Sequence, residues 1–230
     1  MSQRFAIYYA PATTDLLWDR ASVWLGRDPA TGLTYDGAVA GMERARLLNL
    51  TQSAGRYGFH ATLKPPMALA AGHTEQSLRD AMAEAARELQ PVSLGKLRIA
   101  ELDGFLALIP ENPDNPALQD FAASVVEMFE PFRAPLNPRD RAARAARGLT
   151  PRQEELLDGY GYPYVFDQFR FHMTLTDRLS DADRAEVTTA AQTWFGPILG
   201  DEVVLDRLSL FHEQESKVPF ARIADFGLGG

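Results

Sequence analysis

Phe169-Arg170-Phe171-His172-Met173-Thr174-Leu175-Thr176 reads as a strand with two chemically different faces. Alternate residues of a strand point to opposite sides of its sheet. Phe169, Phe171, Met173 and Leu175 then share a core face, while Arg170, His172, Thr174 and Thr176 line the other. A cation, an imidazole and two hydroxyls in a row contribute little to a core but suit an anion. The same design occurs upstream in Arg56-Tyr57-Gly58-Phe59-His60-Ala61-Thr62-Leu63-Lys64. There Tyr57, Phe59, Ala61 and Leu63 form the apolar side, and Arg56, His60, Thr62 and Lys64 the polar side. Gly58 leaves room for close approach. The shared core is Phe-His-x-Thr-Leu. The chain has 4 histidines, and chance would place x-Thr-Leu after a given one well under about 1% of the time. The doubled pattern therefore weighs far more than either copy.

The bulk composition narrows the classes. The 230 residues suffice for one sizeable core or two small ones, and 46% hydrophobic with 23% charged residues is ordinary for a globular protein. A net charge of −8 argues against coating long nucleic acid, yet leaves room for a locally basic pocket. Without cysteine there is no disulfide, thiolate nucleophile or zinc–cysteine site. The start lacks a signal-peptide pattern and no window reaches the length of a membrane span, so a cytoplasmic protein with no membrane partner is expected.

Along the chain, Arg4 to Ala10 is β-prone and stops at Pro11. Thr14 is placed to cap a helix through Leu17, Ala21 and Trp24 that Gly26 ends. A loop over 27–41 and a short helix around Met42 to Leu50 precede the first motif. Thr74 starts a helix with Leu78, Met82, Ala85 and Leu89 at helical spacing. Val92 to Leu102 and Phe105 to Ile109 form a hairpin about Asp103-Gly104. Asn115-Pro116 opens a helix burying Leu118, Phe121, Val125 and Phe129, and a short helix pair spans Pro138 to Gly159. After the second motif, Ser180 caps a helix to about Phe195, and strands follow near Val203 to His212 and Pro219 to Phe226. The order motif strand, helix, strand, strand occurs twice at nearly equal spacing. It predicts an α+β fold of two tandem pseudo-symmetric lobes, each a small antiparallel sheet backed by helices, around a central groove. The chain is expected to be a single bilobal domain over 1–230, with lobe one about 1–112, a helical connector about 113–160 and lobe two about 161–230.

Two histidines flanking one phosphorus suit cleavage of a phosphodiester, because imidazole can take a proton from water or give one to a leaving oxygen near neutral pH. Thr62 and Thr174 are placed to donate hydrogen bonds to phosphoryl oxygens. Lys64, Arg56, Arg170 and Arg178 match the histidines in strand parity as phosphate contacts, with Thr176 and Tyr57 beside them. No third ligand stands at a metal-like spacing and there is no His-Glu-x-x-His run, so neither metal nor cofactor is expected. His73 and His212 read as ordinary surface or sheet residues. Arg139, Arg141, Arg144, Arg147 and Arg152 form a basic cluster: either a solvated helix face or a lid over an anionic substrate. Tyr160, Tyr162 and Tyr164 either pack locally or stack on a base or sugar.

The paired His-Ala-Thr-Leu and His-Met-Thr-Leu motifs resemble the two-histidine (2H) phosphoesterase superfamily and its HxT motifs. Arg56 to Pro66 (RYGFHATLKPP), Leu149 to Gln153 (LTPRQ), Gly161 to Val165 (GYPYV) and Phe169 to Leu179 (FRFHMTLTDRL) are similar to one bacterial branch, a family of phosphonate metabolism proteins. The resemblance implies a bilobal fold with a central groove, metal-independent chemistry, and His60, Thr62, His172 and Thr174 as the site. Where that branch often has a small residue, this chain has Asp177, which either weakens anion binding or pairs with Arg178. The expected activity is hydrolysis of a small cyclic phosphodiester, either a 2′,3′-cyclic nucleotide or a ribose cyclic phosphate from phosphonate breakdown. The rivals are an RNA-end phosphodiesterase or ligase-like enzyme, with a short RNA end as partner, and a non-catalytic module that binds a phosphorylated metabolite. Which histidine is the base, which P–O bond breaks and the oligomeric state stay open.

Overall fold

Strand β1 (Arg4–Tyr9) forms where aromatic and β-branched residues follow one another, and it is buried along nearly its whole length. The computed structural model describes residues 3–146 and 148–229. Asp15, not Thr14, caps helix α1 (Leu16–Leu25) by accepting from the Leu17 N–H, and Gly26 ends the helix at φ 81°. Helices α2 (Arg44–Leu50) and α3 (Gln52–Tyr57) follow and lead into strand β2 (Ala61–Met67). Arg56 and Tyr57 are therefore the last turn of a helix rather than the start of a strand. Helix α4 (Glu75–Glu88) is opened by a capping box at Thr74 and Ser77. Strands β3 (Val92–Leu102) and β4 (Phe105–Pro110) are joined by Asp103 and Gly104, both at positive φ as a tight hairpin turn of this kind requires.

Asn115 caps helix α5 (Pro116–Met128), and helices α6 (Pro138–Ala145) and α7 (Pro151–Tyr160) make the connector. Strand β5 (Met173–Thr174) has only two laddered residues, although the expected alternation persists around it: Phe169, Phe171, Met173 and Leu175 are buried and Arg170 is exposed. Ser180 caps helix α8 (Asp181–Phe195), as expected. The single strand expected from Val203 to His212 is two, β6 (Glu202–Leu205) and β7 (Arg207–Glu213), followed by β8 (Ala221–Gly227). The chain changes sheet partners at Asp206, whose carboxylate is paired with the Arg207 guanidinium at 2.7 Å.

The fold is α+β, and the sheet is antiparallel throughout, in the order β6-β3-β4-β5-β2-β1-β7-β8. The topology adds an exchange that spacing does not reveal. Strand β1 pairs with β7, which carries β8 on its far side, whereas β3 pairs with β6 and β4 with β5. The two motif strands are thereby brought side by side at the centre of the sheet. Helix α4 packs on β7 and β8, α5 on β2 and β3, and α1 on α8, where Trp24 meets Phe195 at 5.5 Å between ring centroids. Among the described residues, no helix is long and apolar enough to cross a membrane.

Candidate active site

One backbone pairing organises the site: Ala61 of β2 faces Met173 of β5 in an antiparallel ladder. Both side chains are buried in the core, at 1% and 0% exposure. Their neighbours in sequence point to the other side. Extending the register puts His60 opposite Thr174 and Thr62 opposite His172. Opposed side chains in such a pair stand about 4.5–5.5 Å apart at Cβ and diagonal ones about 7–8 Å. The two imidazoles thus occupy one diagonal of a small square and the two threonines the other.

The two rings are held alike. The Nδ1 of His60 lies 2.8 Å from the Gly58 carbonyl oxygen, and the Nδ1 of His172 lies 2.8 Å from that of Arg170. A carbonyl can only accept, so each Nδ1 carries a hydrogen and each Nε2 is left for the groove. The Nε2 of His60 is 3.2 Å from the Thr62 hydroxyl, which donates to it when the ring is neutral. Gly58 adopts φ 80°, and a Cβ there would come within 2.6 Å of Pro29 Cγ. Its missing side chain serves that contact and the aim of its carbonyl, not approach by a ligand.

The environments differ where the anchors agree. Tyr8 stacks on His60 with centroids 3.7 Å apart and planes 17° from parallel. Burial, reinforced by the nearby positive charge of His172, lowers the His60 pKa to about 4 against the opposing pull of the Gly58 carbonyl. Burial also lowers the pKa of His172, but the Arg170 carbonyl and the Asp103 carboxylate both favour its charged form. One ring is strongly biased to be neutral, and the other has a carboxylate nearby.

The remaining expected contacts divide. Tyr57 comes to the site, its ring 6.3 Å from His60. Arg56 is paired with the buried carboxylate of Glu213, which Arg4 also binds at 2.5 Å. Lys64 is turned away. Tyr8 pairs with Thr62 and Ile7 with Lys64, so β2 spends one extra residue there, and this bulge moves Lys64 to the opposite face. It is fully buried, donating to the Val126 carbonyl at 2.8 Å and to Glu130 at 2.5 Å. Thr176 is also buried; its hydroxyl accepts from the Leu106 N–H at 2.9 Å, closing the hairpin edge instead of facing an anion. Arg170 and Arg178 are exposed and make no ion pair with a described residue. Asp177 neither pairs with Arg178 nor faces the groove: its carboxylate accepts from the Ser53 and Ala54 N–H groups at the start of α3.

In the connector, Arg141 pairs with Asp158 and Arg152 with Asp167 at exposed positions, Arg139 is exposed, and Arg147 lies outside the described residues. Arg144 points inward, donating to the Gly161 carbonyl and lying 5.9 Å from the Tyr162 ring centroid. Tyr160 packs on Phe166 and Tyr162 on Tyr164. His73 packs on Phe132, and His212 stacks on Phe5, as plain sheet and surface residues do. Among the described residues, no three His, Asp or Glu side chains gather as metal ligands would. Sequence reading missed Tyr8, Arg4, Glu213 and Asp103. Only the alternation in Arg4 to Tyr9 hinted at the first two, and nothing local announced the others.

A family model described as "Protein of unknown function (DUF1045)" matches residues 62–221, from Thr62 through the whole second motif. Two curated relatives align over 94% of the chain. Both are described as ribose 1,5-bisphosphate phosphokinase PhnN: one from Janthinobacterium sp. (strain Marseille), 36% identical, and one from Laribacter hongkongensis (strain HLHK9), 33% identical. The alignments take in 49% and 50% of those proteins, so the chain spans about half their length. Two solved structures align over 100% of both chains at a TM-score of 0.42: E. coli LigT complexed with NADP+, at 11% identity, and a phosphoesterase, at 12%.

Proposed function

The chain belongs to the DUF1045 family of proteins of unknown function, and from that premise we propose that it is a metal-independent phosphodiesterase opening a small cyclic phosphodiester by two-histidine acid–base catalysis. The observation that carries this reading is the antiparallel Ala61–Met173 register, which sets two His-x-Thr pairs face to face on the polar side of adjacent strands.

His60 is the base. It is neutral at neutral pH, its Nδ1–H is tied to Gly58, and its Nε2 lone pair faces the groove. As water oxygen attacks phosphorus, Nε2 takes the water proton. Thr62, which donates to that nitrogen in the free protein, turns its hydroxyl to a phosphoryl oxygen. His172 is the acid. Burial lowers the His172 pKa, but a phosphodiester anion in the groove adds to the opposing pull of Asp103, so the ring takes up a proton as substrate binds; it gives its Nε2 proton to the leaving oxygen as the P–O bond breaks. The single ring-opened product carries one phosphomonoester and one free hydroxyl, and the proton lost by His172 matches the one gained by His60. Thr62 and Thr174 assist to the extent that their hydrogen bonds tighten as charge builds on the phosphoryl oxygens.

The curated relatives' name points to a ribose carrying phosphates, which favours a ribose cyclic phosphate over a nucleotide; the link to phosphonate metabolism rests on the motif resemblance. The test is a panel of cyclic phosphates assayed with and without EDTA. Turnover should persist in EDTA, and His60→Ala or His172→Ala should each cost about a hundred- to ten-thousand-fold in kcat. Undiminished turnover in either variant would end the two-histidine mechanism. Tight binding without product in single-turnover experiments would favour a binding module.

A further inference from the structure

Beyond His60, on the same face of the sheet, two arginines bind one carboxylate and a third stands near them. Arg4 and Tyr8 lie on one side of β1, and Arg4 faces Glu213 of β7 in register. Arg4 and Arg56 both bind Glu213, whose side chain is fully buried. The Arg56 guanidinium lies 5.1 Å from the Tyr57 ring centroid, and that ring is 6.3 Å from His60. Arg144 arrives from the connector over Tyr162, with no carboxylate in ion-pair reach among the described residues. Its neighbours include Arg4 and Tyr57, and the Tyr8 hydroxyl that borders His60 is within electrostatic reach of Tyr57, Tyr162 and Arg4. The Arg56 Nε is shut off from solvent and has no hydrogen-bond partner. Two cations thus share one anion in a partly buried corner, and Arg144 stands near Arg4 without an ion-pair partner among the described residues. Arg4 disfavours the charged form of Arg144 while Asp140 favours it, and a bound anion adds to the favourable side.

We infer that Arg4, Arg56 and Arg144, with Tyr57 and Tyr162, form a second anion subsite that grips a phosphomonoester on the same substrate whose cyclic phosphodiester lies between the two histidines. This rests on the function proposed above and narrows it to doubly phosphorylated substrates. Arginine forks suit a terminal phosphate dianion because they can bind it bidentately. The Tyr57 ring stands between the Arg56 guanidinium and His60, so the sugar of such a substrate would lie along it.

The experiment uses two pairs of compounds: ribose 1,2-cyclic phosphate with and without a 5-phosphate, and adenosine 2′,3′-cyclic phosphate with and without a 5′-phosphate. Dissociation constants come from calorimetry on the His60→Ala/His172→Ala double variant, and kcat/KM from the intact protein. The extra phosphate should tighten binding at least about tenfold within a pair. Arg144→Gln should shrink that ratio to about one to three, and Arg144→Lys should restore part of it. A ratio near one in both pairs, a ratio unmoved by Arg144→Gln, or no binding of any compound overturns the subsite. A high ratio in binding with no turnover of any compound upholds the subsite and overturns the hydrolase reading instead.

Discussion

At the scale of single residues, His60 shows how strongly position controls an imidazole. Its pKa falls from 6.5 to about 4, chiefly by burial. Between those values the unfolded chain binds the proton and the folded chain does not. Stability therefore rises with pH from about 4 to 6.5, and the penalty is fully present below about 4. Replacing the ring with an amide removes this dependence. His60→Gln should accordingly lose less stability than the wild type between pH 7 and pH 5, measured as the shift of the urea midpoint; an equal or larger loss would contradict a neutral, buried His60. The same shift places the acidic limb of kcat/KM, which reports the free enzyme, well below pH 6.5. These surroundings depend on Tyr8, more than fifty positions away, so the residue type was legible in the sequence and its titration was not.

At the scale of elements, the bulge in β2 decides which residues belong to the groove. Strand parity groups Lys64 with His60 and Thr62, and one extra residue reverses it. Lys64 instead joins β2 to the end of α5 through Val126 and Glu130. Lys64→Ala should therefore cost about 2–5 kcal/mol of stability, from the cavity and the broken buried pair, with KM within about twofold of the wild type. Urea denaturation and steady-state kinetics check both; a large rise in KM with stability intact would restore Lys64 to the phosphate site. Asp177 teaches the same lesson: it follows the second motif in sequence but caps the helix that delivers the first. Helix starts at Thr74, Asn115 and Ser180 were readable because a cap and its helix are local. The division of 203–212 into β6 and β7 was not, because it depends on two distant partners, β3 and β1.

At the scale of the whole molecule, the charge of −8 and the gathering of Arg4, Arg56 and Arg144 on the His60 side of the sheet describe an acidic protein with a small basic patch. Such a patch suits one small anion rather than a long phosphate backbone. From 50 to 200 mM salt, the kcat/KM for a mononucleotide-sized substrate should fall by no more than a few-fold; a loss of about a thousandfold would point to an RNA end held by many phosphate contacts. The doubled Phe-His-x-Thr-Leu motif, the alternation within its His-x-Thr cores, the α+β class and the caps at Thr74, Asn115 and Ser180 are properties of neighbouring residues, so the sequence by itself determined them. The exchange of strands, which sets β2 against β5, and the bulge that removes Lys64 are decided only by the folded chain. So are the stacking of Tyr8 on His60 and the meeting of Arg4, Arg56 and Arg144. Each depends on contacts between segments far apart in the chain, where burial and charge are fixed by packing and local periodicity carries no record of them.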